Sequence, residues 1–203
     1  SDLGNLPQNF TTQNAYDALD RIIQTIDNLG NTHQYAYDSR GNRRLYTDAR
    51  GNKTRYEFDG LSRLVRTSRD MNGNGVFTDP ADIITSQAWD DSSRLRSITD
   101  DNTNTTVYAY DSLNRRIRTV HADGTTSAQA YDAHDNRITM TDANGTVVTS
   151  SYDLLNRLTN NLVAPAPGIL GTTSETYAYD GGSRLVRAQD DDSVVTRGYD
   201  SLS

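Results

Sequence analysis

The polar and apolar positions of this chain fall into a short alternation that keeps returning. Tyr35 and Tyr37, Tyr56 and Phe58, Tyr108 and Tyr110, and Tyr177 and Tyr179 each stand two residues apart. Residues at that separation share one face of a β-strand. A turn-forming stretch follows each pair, such as Ser39-Arg40-Gly41-Asn42 or Ser112-Leu113-Asn114. Asx side chains bond their own backbone in such turns. A basic or amide residue with an aliphatic neighbour then resumes the chain, as at Arg63-Leu64 and Arg157-Leu158. No stretch sustains the 3.6-residue period of a helix. The pattern predicts an all-β chain of hairpins.

The alternation has a fixed period. An aromatic residue followed by Asp occurs at Tyr16, Tyr37, Phe58, Trp89, Tyr110, Tyr131, Tyr152, Tyr179 and Tyr199, at spacings of 21, 21, 31, 21, 21, 21, 27 and 20. Self-similarity at such a period marks a repeat architecture. The two long spacings read as loops of 10 and 6 residues inserted into a 21-residue unit, near 70–82 and 163–171. The organisation expected is a lead-in over 1–14 and a repeat array over 15–203. Five places after the aromatic stands Arg21, Arg63, Arg94, Arg115, Arg157 or Arg184, with Asn42 and Asn136 in the remaining units. Asp then opens a second turn that Gly closes, as in Asp27 to Gly30, Asp48 to Gly51 and Asp142 to Gly145. Gly takes positive φ there without a steric penalty. Each unit therefore supplies two antiparallel strands, giving tandem antiparallel β-hairpin repeats of about 21 residues.

Composition changes the picture in one respect. Hydrophobic residues make up 34% and the mean hydropathy is -0.75. Leu, Ile, Val and Phe together come to just under a fifth of the residues. That poverty ordinarily marks disorder, but the 12 Tyr supply the missing apolar faces and the net charge is only -7. The expectation is a ladder in which Tyr stacks on Tyr of the next unit, at about 0.2–1 kcal/mol per cross-strand pair. The phenol is then free to reach water or a polar partner. The Asp and Arg of the unit are expected to pair between neighbouring units, an interaction worth little where exposed.

The chain has no Cys, which excludes disulfides and thiolate metal sites. No apolar run approaches the roughly 18 residues of a membrane span, no signal-peptide pattern opens the chain, and the start at Ser1 reads as an excised piece. A pI near 4.8 argues against a nucleic-acid partner held through phosphates.

The nine aromatic-Asp pairs, the following Arg-aliphatic step and the Asp-x-x-Gly turn resemble the YD-repeat, or RHS-repeat, family. The resemblance runs from Ala15 to Ser203. It implies a long β-ribbon that curves or spirals into a hollow shell, as in bacterial polymorphic toxins, the cocoon of insecticidal Tc toxins and teneurins. It implies a secreted or cell-surface protein whose partners are the rest of its parent chain or an encapsulated cargo domain. About eight units are too few for a closed shell, and no segment resembles the family's self-cleavage region or a toxin domain. The expected role is a stretch of shell wall, with a surface module recognising glycan or protein as the alternative.

The first insertion carries the one motif with its own chemistry. Asp70, Asn72, Asn74 and Gly75 match the first half of a D-x-[DN]-x-[DN]-G calcium loop. Alternating side-chain oxygens wrap a hard cation, and the Val76 carbonyl would be the next ligand. Ala81 stands where the closing Glu belongs, so Asp79 or Asp82 must close the site. With one charge among the first three ligands, binding of calcium on the order of 10⁻⁴–10⁻³ M is expected.

The remaining chemistry is bland. His33, His121 and His134 fit no metal spacing, and no G-x-S-x-G elbow occurs. Repeated Asp residues read as architecture rather than as paired catalytic carboxylates, Trp89 as packing, Asp100-Asp101-Asn102 and Asp190-Asp191-Asp192 as solvated turns, and Ala164 to Gly168 as a stiff exposed loop. An enzyme, foremost a glycosidase, is the reading with least support.

Overall fold

The computed structural model describes residues 11–200. Among them there is no helix, and every strand pairs antiparallel with a strand next to it in the chain. The chain divides into two compact units at Thr105 and Thr106. The first holds β1 (Gln13–Tyr16), β2 (Ile22–Ile26), β3 (Thr32–Tyr37), β4 (Arg43–Thr47), β5 (Lys53–Phe58), β6 (Leu64–Arg69), β7 (Ile83–Trp89) and β8 (Leu95–Thr99). The second holds β9 (Thr105–Tyr110), whose first residue precedes the division, then β10 (Arg116–Val120), β11 (Thr126–Tyr131), β12 (Arg137–Thr141) and β13 (Val147–Tyr152). It continues with β14 (Leu158–Ala164), β15 (Ser174–Tyr179), β16 (Leu185–Gln189) and β17 (Val194–Thr196). The hairpin repeat expected from the period is present in both. The lead-in expected over 1–14 falls outside the described residues as far as residue 10, and β1 opens within its remainder.

Within each unit a strand contacts only the strands before and after it, so each unit is a single layer. The consequence is a fold almost without a core. Among the described residues Ala166 is the one buried apolar side chain, while Ser68, Asp70, Asp82 and Thr119 are buried polar ones. Stability must then come from turns, ladders and side chains lying flat on the sheet.

Two kinds of turn alternate, and they share one design. After each strand-ending aromatic, Asp accepts two backbone N–H groups through one oxygen. Asp17 Oδ1 takes those of Leu19 and Arg21 at 2.9 and 3.0 Å. The third residue after the Asp takes positive φ, from 57° at Asp20 to 66° at Asp135, with Gly41 in one unit. The second turn repeats this geometry, with Asn31, Asn52 and Asn104 in the place of the Arg and Thr146 in another unit. Asp27 Oδ1 accepts from Leu29 and Asn31, and Asn31 Nδ2 donates to Asp27 Oδ2 at 2.7 Å.

Each aromatic that ends a strand also marks a bulge. Tyr16 pairs with Ile22, Tyr37 with Arg43, Trp89 with Leu95 and Tyr179 with Leu185, one residue of the partner strand being skipped each time. A bulge takes a residue out of the ladder and leaves its carbonyl in need of a donor.

Candidate functional site: the repeat clasp and the inserted loop

The repeat Asp and Arg do pair, but within one turn rather than between neighbours. Arg21 Nη2 lies 2.7 Å from Asp17 Oδ2, and the same i, i+4 bridge recurs at Arg63–Asp59, Arg94–Asp90, Arg115–Asp111, Arg157–Asp153 and Arg184–Asp180. The Asx turn folds the Arg back over its own Asp, which corrects the expectation that these two pair between units; Arg115 also reaches a carboxylate of the next unit, Asp135. The bond to the Arg21 guanidinium holds the Asp17 carboxyl below the usual carboxylate range, and Arg157 does the same for Asp153.

The other face of the guanidinium crosses to the next unit. Arg63 Nη1 donates to Asp90 O at 3.0 Å and Ser93 Oγ at 3.1 Å, and Arg115 Nη1 donates to Asp132 O at 3.1 Å and Asp135 Oδ1 at 2.7 Å. The guanidinium carbon stands 4.6 Å from the Tyr37 ring centre for Arg21, 4.7 Å from Tyr131 for Arg115 and 4.8 Å from Tyr179 for Arg157. Guanidinium over a ring face is a favourable cation–π contact. The Tyr-on-Tyr ladder expected from sequence is thus replaced by Arg on the next unit's aromatic. Ring stacking occurs instead where His33 and Tyr35 lie against Tyr46, with centroids 5.8 and 5.6 Å apart.

The aromatic answers in the opposite direction. Tyr37 Oη donates to Ile22 O at 2.8 Å, Tyr179 Oη to Leu158 O at 2.9 Å and Tyr199 Oη to Leu185 O at 3.0 Å. These are the carbonyls of bulge residues in the preceding unit. Trp89 performs the same task with its indole, Nε1 donating to Leu64 O at 2.8 Å. That explains why Trp stands in for Tyr and adds a polar role to the packing role expected. Tyr110 and Tyr152 occupy the same bulge-facing position. Tyr131 differs, its hydroxyl meeting Gln129 Oε1 at 3.2 Å. Tyr16, the first aromatic of the described repeats, is 54% exposed.

The 70–82 insertion gathers its expected residues into one network. Asp70 Oδ1 accepts from Gly73 N at 2.6 Å and Oδ2 from Gly75 N at 2.9 Å. Asp82 accepts from the backbone of Met71 and Asp79, each at 3.3 Å. Asn72 and Asn74 both donate their amides to Asp79 Oδ2, at 2.8 and 2.7 Å, and these bonds hold the Asp79 carboxyl below its usual range. The Asn74 side-chain oxygen accepts from Val76 N at 2.7 Å. Among the described residues no three carboxylate or imidazole groups converge as a metal site. Holding a cation would require the Asn72 and Asn74 amides to turn their oxygens inward.

Two smaller readings change with the structure, and the reading of the histidines gains partners. Asp191 is not merely solvated: its carboxylate accepts from the backbone and hydroxyl groups of Thr173 and Ser174, tying the turn to the second insertion. That insertion is not wholly exposed, since Ala166 N donates to Thr146 Oγ1 at 3.2 Å and its methyl group is buried. His33 Nδ1 meets the Tyr46 hydroxyl at 2.7 Å and His121 Nε2 meets Ser127 Oγ at 3.0 Å, so both histidines are structural.

Hairpins in a single layer, locked side by side through turn residues, define a tandem β-hairpin wall. The RHS repeat family model matches residues 37–73, 89–126 and 131–166, more than half of the chain, and the chain belongs to that family. No curated protein sequence matches it. Among solved structures it is similar to the crystal structure of TcdB2-TccC3-TEV, with a TM-score of 0.56 at 15% identity over 89% of this chain and 11% of that one. It is also similar to the crystal structure of TcdB2-TccC3, with a TM-score of 0.50 at 14% identity over 89% of this chain and 12% of that one. The chain therefore spans about a tenth of the length of the solved chains it matches. At such identities the likeness is one of fold.

Proposed function

We propose that this chain is a segment of the wall of a secreted or surface RHS-repeat shell that encloses a cargo domain carried by the same parent protein. The observation that carries the reading is the single layer. Each strand meets only its chain neighbours, and one apolar side chain is buried among the described residues. A sheet of this kind gains little by closing on itself, and suits an extended wall continued by further repeats. The role is structural, and no catalytic residue is assigned. Electron microscopy of the parent protein tests the reading. A hollow particle whose cargo resists protease until the wall is opened is the expected result, and an open ribbon with accessible cargo would overturn it.

One cluster favours the alternative of a surface that binds a glycan or a protein partner. Arg43 lies over three rings at once, 5.9 Å from Tyr35, 5.6 Å from Tyr46 and 5.0 Å from Tyr56. Retention on immobilised glycans that is lost in Tyr46→Ala would favour this reading over the wall.

The inserted loop is proposed to take calcium weakly through Asp70, Asn72, Asn74, the Val76 carbonyl, Asp79 and Asp82. Its support is the burial of Asp70 and Asp82, 3% and 5% exposed, with backbone N–H groups as their hydrogen-bond donors. Buried charges are ordinarily paired with an opposite charge or bound to a metal. Titration calorimetry should show a dissociation constant on the order of 10⁻⁴–10⁻³ M that disappears in Asp70→Asn. No heat at millimolar calcium would sink the idea.

A further inference from the structure

The β4–β5 joint differs from its neighbours. Each strand pair joined by an Asp-x-x-Gly turn is laddered only near that turn, as Ile26–Thr32 to Gln24–Gln34 in β2–β3 and Thr47–Lys53 to Leu45–Arg55 in β4–β5. Beyond the last rung the strands continue unpaired toward the aromatic-Asp turns. At β2–β3 that stretch is spanned by Arg21 on Tyr37 and by the Tyr37 hydroxyl on Ile22 O. At β6–β7 it is spanned by Arg63 on Trp89 and by the indole on Leu64 O. At β4–β5 the residues in those places are Asn42 and Phe58. Asn42 is too short to cover a ring, and its amide reaches only Ser62 Oγ at 3.1 Å across the joint, so the guanidinium that crosses here is that of the next residue, Arg43, 5.0 Å from the Tyr56 ring and not on the strand-ending aromatic. Phe58 has no hydroxyl to offer the Arg43 carbonyl.

A groove of about 460 Å³ lies at this joint, lined by Asp38, Arg44, Arg55 and Phe58 among others, and Phe77 forms part of its border. Phe77 belongs to the inserted loop, which leaves the sheet after β6 and returns in β7. To reach β4 and β5 the loop must fold back across the face of β6. Its root is the most buried part of the first unit: Ser68 is 1% exposed, Asp70 3% and Asp82 5%. The second Asn joint, at Asn136, also carries a groove, of about 310 Å³, whose lining comes from the two adjoining repeats with no residue of an insertion. There Tyr152 keeps its hydroxyl, which donates to Arg137 O at 3.1 Å.

We propose that the inserted loop is a strap over the β4–β5 joint, Phe77 adding to the Arg43–Tyr56 contact and standing in, across the groove, for the clasp on the strand-ending aromatic that Asn42 and Phe58 cannot make. This joint is where the first unit parts when the strap lifts. An interchangeable strap and clasp make a position in the wall at which opening is set by a loop rather than by the repeat itself.

Hydrogen exchange followed by mass spectrometry on the full parent chain tests this, with millimolar calcium held constant so that the outcome does not depend on the cation reading. Phe77→Ala should speed exchange in segments 43–47 and 53–58 by about tenfold, the scale of losing one packed ring contact. The β2–β3 and β6–β7 joints should keep their rates. Installing the clasp in that background, Asn42→Arg with Phe58→Tyr, should return the two segments to the parent rate. Unchanged exchange at β4–β5 in Phe77→Ala, or an equal rise at all three joints, would overturn the strap. Failure of the double substitution to restore protection would overturn the equivalence of strap and clasp.

Discussion

Arg157 and Tyr179 stand one repeat apart in sequence and hold each other's repeat in place. The guanidinium lies 4.8 Å above the ring and donates onward to Ser183 Oγ at 3.1 Å, while the Tyr179 hydroxyl reaches back 2.9 Å to Leu158 O, the residue after the Arg. One contact locks the later turn to the earlier one, and the other returns a donor to a carbonyl displaced by the bulge. In a layer without a core, this reciprocal pair does what buried apolar area does in a globule.

The pair should therefore be coupled. Tyr179→Phe removes the donor to Leu158 O and is expected to cost about 1 kcal/mol. Arg157→Ala, at 25% side-chain exposure, should cost about 1–2 kcal/mol once screening is allowed for. Urea denaturation of both single variants and the double variant should give a coupling energy of about 0.5 kcal/mol or more. Strict additivity would mean that the ring and the guanidinium act independently.

A second prediction concerns one strained turn. Thr103 has φ +67°, at the place where Gly30, Gly51, Gly124 and Gly145 stand in the equivalent turns. A β-branched residue in the left-handed region pays a steric penalty that Gly avoids. Thr103→Gly should stabilise the chain by about 1 kcal/mol, less the entropy that Gly restores to the unfolded state. The opposite change, Gly145→Ala, should destabilise by a similar amount. A lower melting temperature for Thr103→Gly would show that the Thr side chain contributes more than its strain costs.

How far the sequence could be read follows from which relations are local. The 21-residue period, the two turns and the positive-φ positions lie within a few residues of their determinants, so Asp27-x-x-Gly30 announces its own geometry. The Asp17–Arg21 bridge is just as local. It was open to a reading of the Asx turn, which brings the fourth following residue back onto the Asp. The partner of the repeat Tyr was not legible, because it depends on the bulge. Skipping Arg44 sets Tyr37 opposite Arg43, and no count of alternating residues announces that a strand will skip one. The return of the 70–82 loop over β5 likewise depends on where Phe77 lands, which its sequence does not encode on its own.

Acid should attack the turns before anything else. The Asp17 and Asp153 carboxyls are lowered by their Arg bonds, and the Asp27 and Asp48 carboxyls by the side-chain amides of Asn31 and Asn52. A carboxyl whose folded pKa lies below its unfolded value, about 3.9 for Asp, contributes stability that is fully present above the unfolded value. That contribution is lost as pH falls through the folded one. The urea midpoint should stay level from pH 7 to about 5 and fall steeply below about 4. A fall already evident between pH 7 and about 5.5 would show that the loss does not come from these carboxyls.

The last prediction uses a hydroxyl with nowhere to go. Ser68 is 1% exposed on β6, between Arg55 and Ile84 in register, and its Oγ has no hydrogen-bond partner. A buried, unpaired hydroxyl costs about 1–3 kcal/mol of desolvation. Ser68→Ala removes the group, leaves the methylene carbon in place and should stabilise the chain by about 1 kcal/mol in urea denaturation. Ser68→Val should not share the gain, because a side chain only 1% exposed leaves no room for a second methyl group. A loss of stability in Ser68→Ala would mean that the hydroxyl has a partner in solution, such as a water bridging it to the buried and equally unpaired Arg66 Nε two residues earlier.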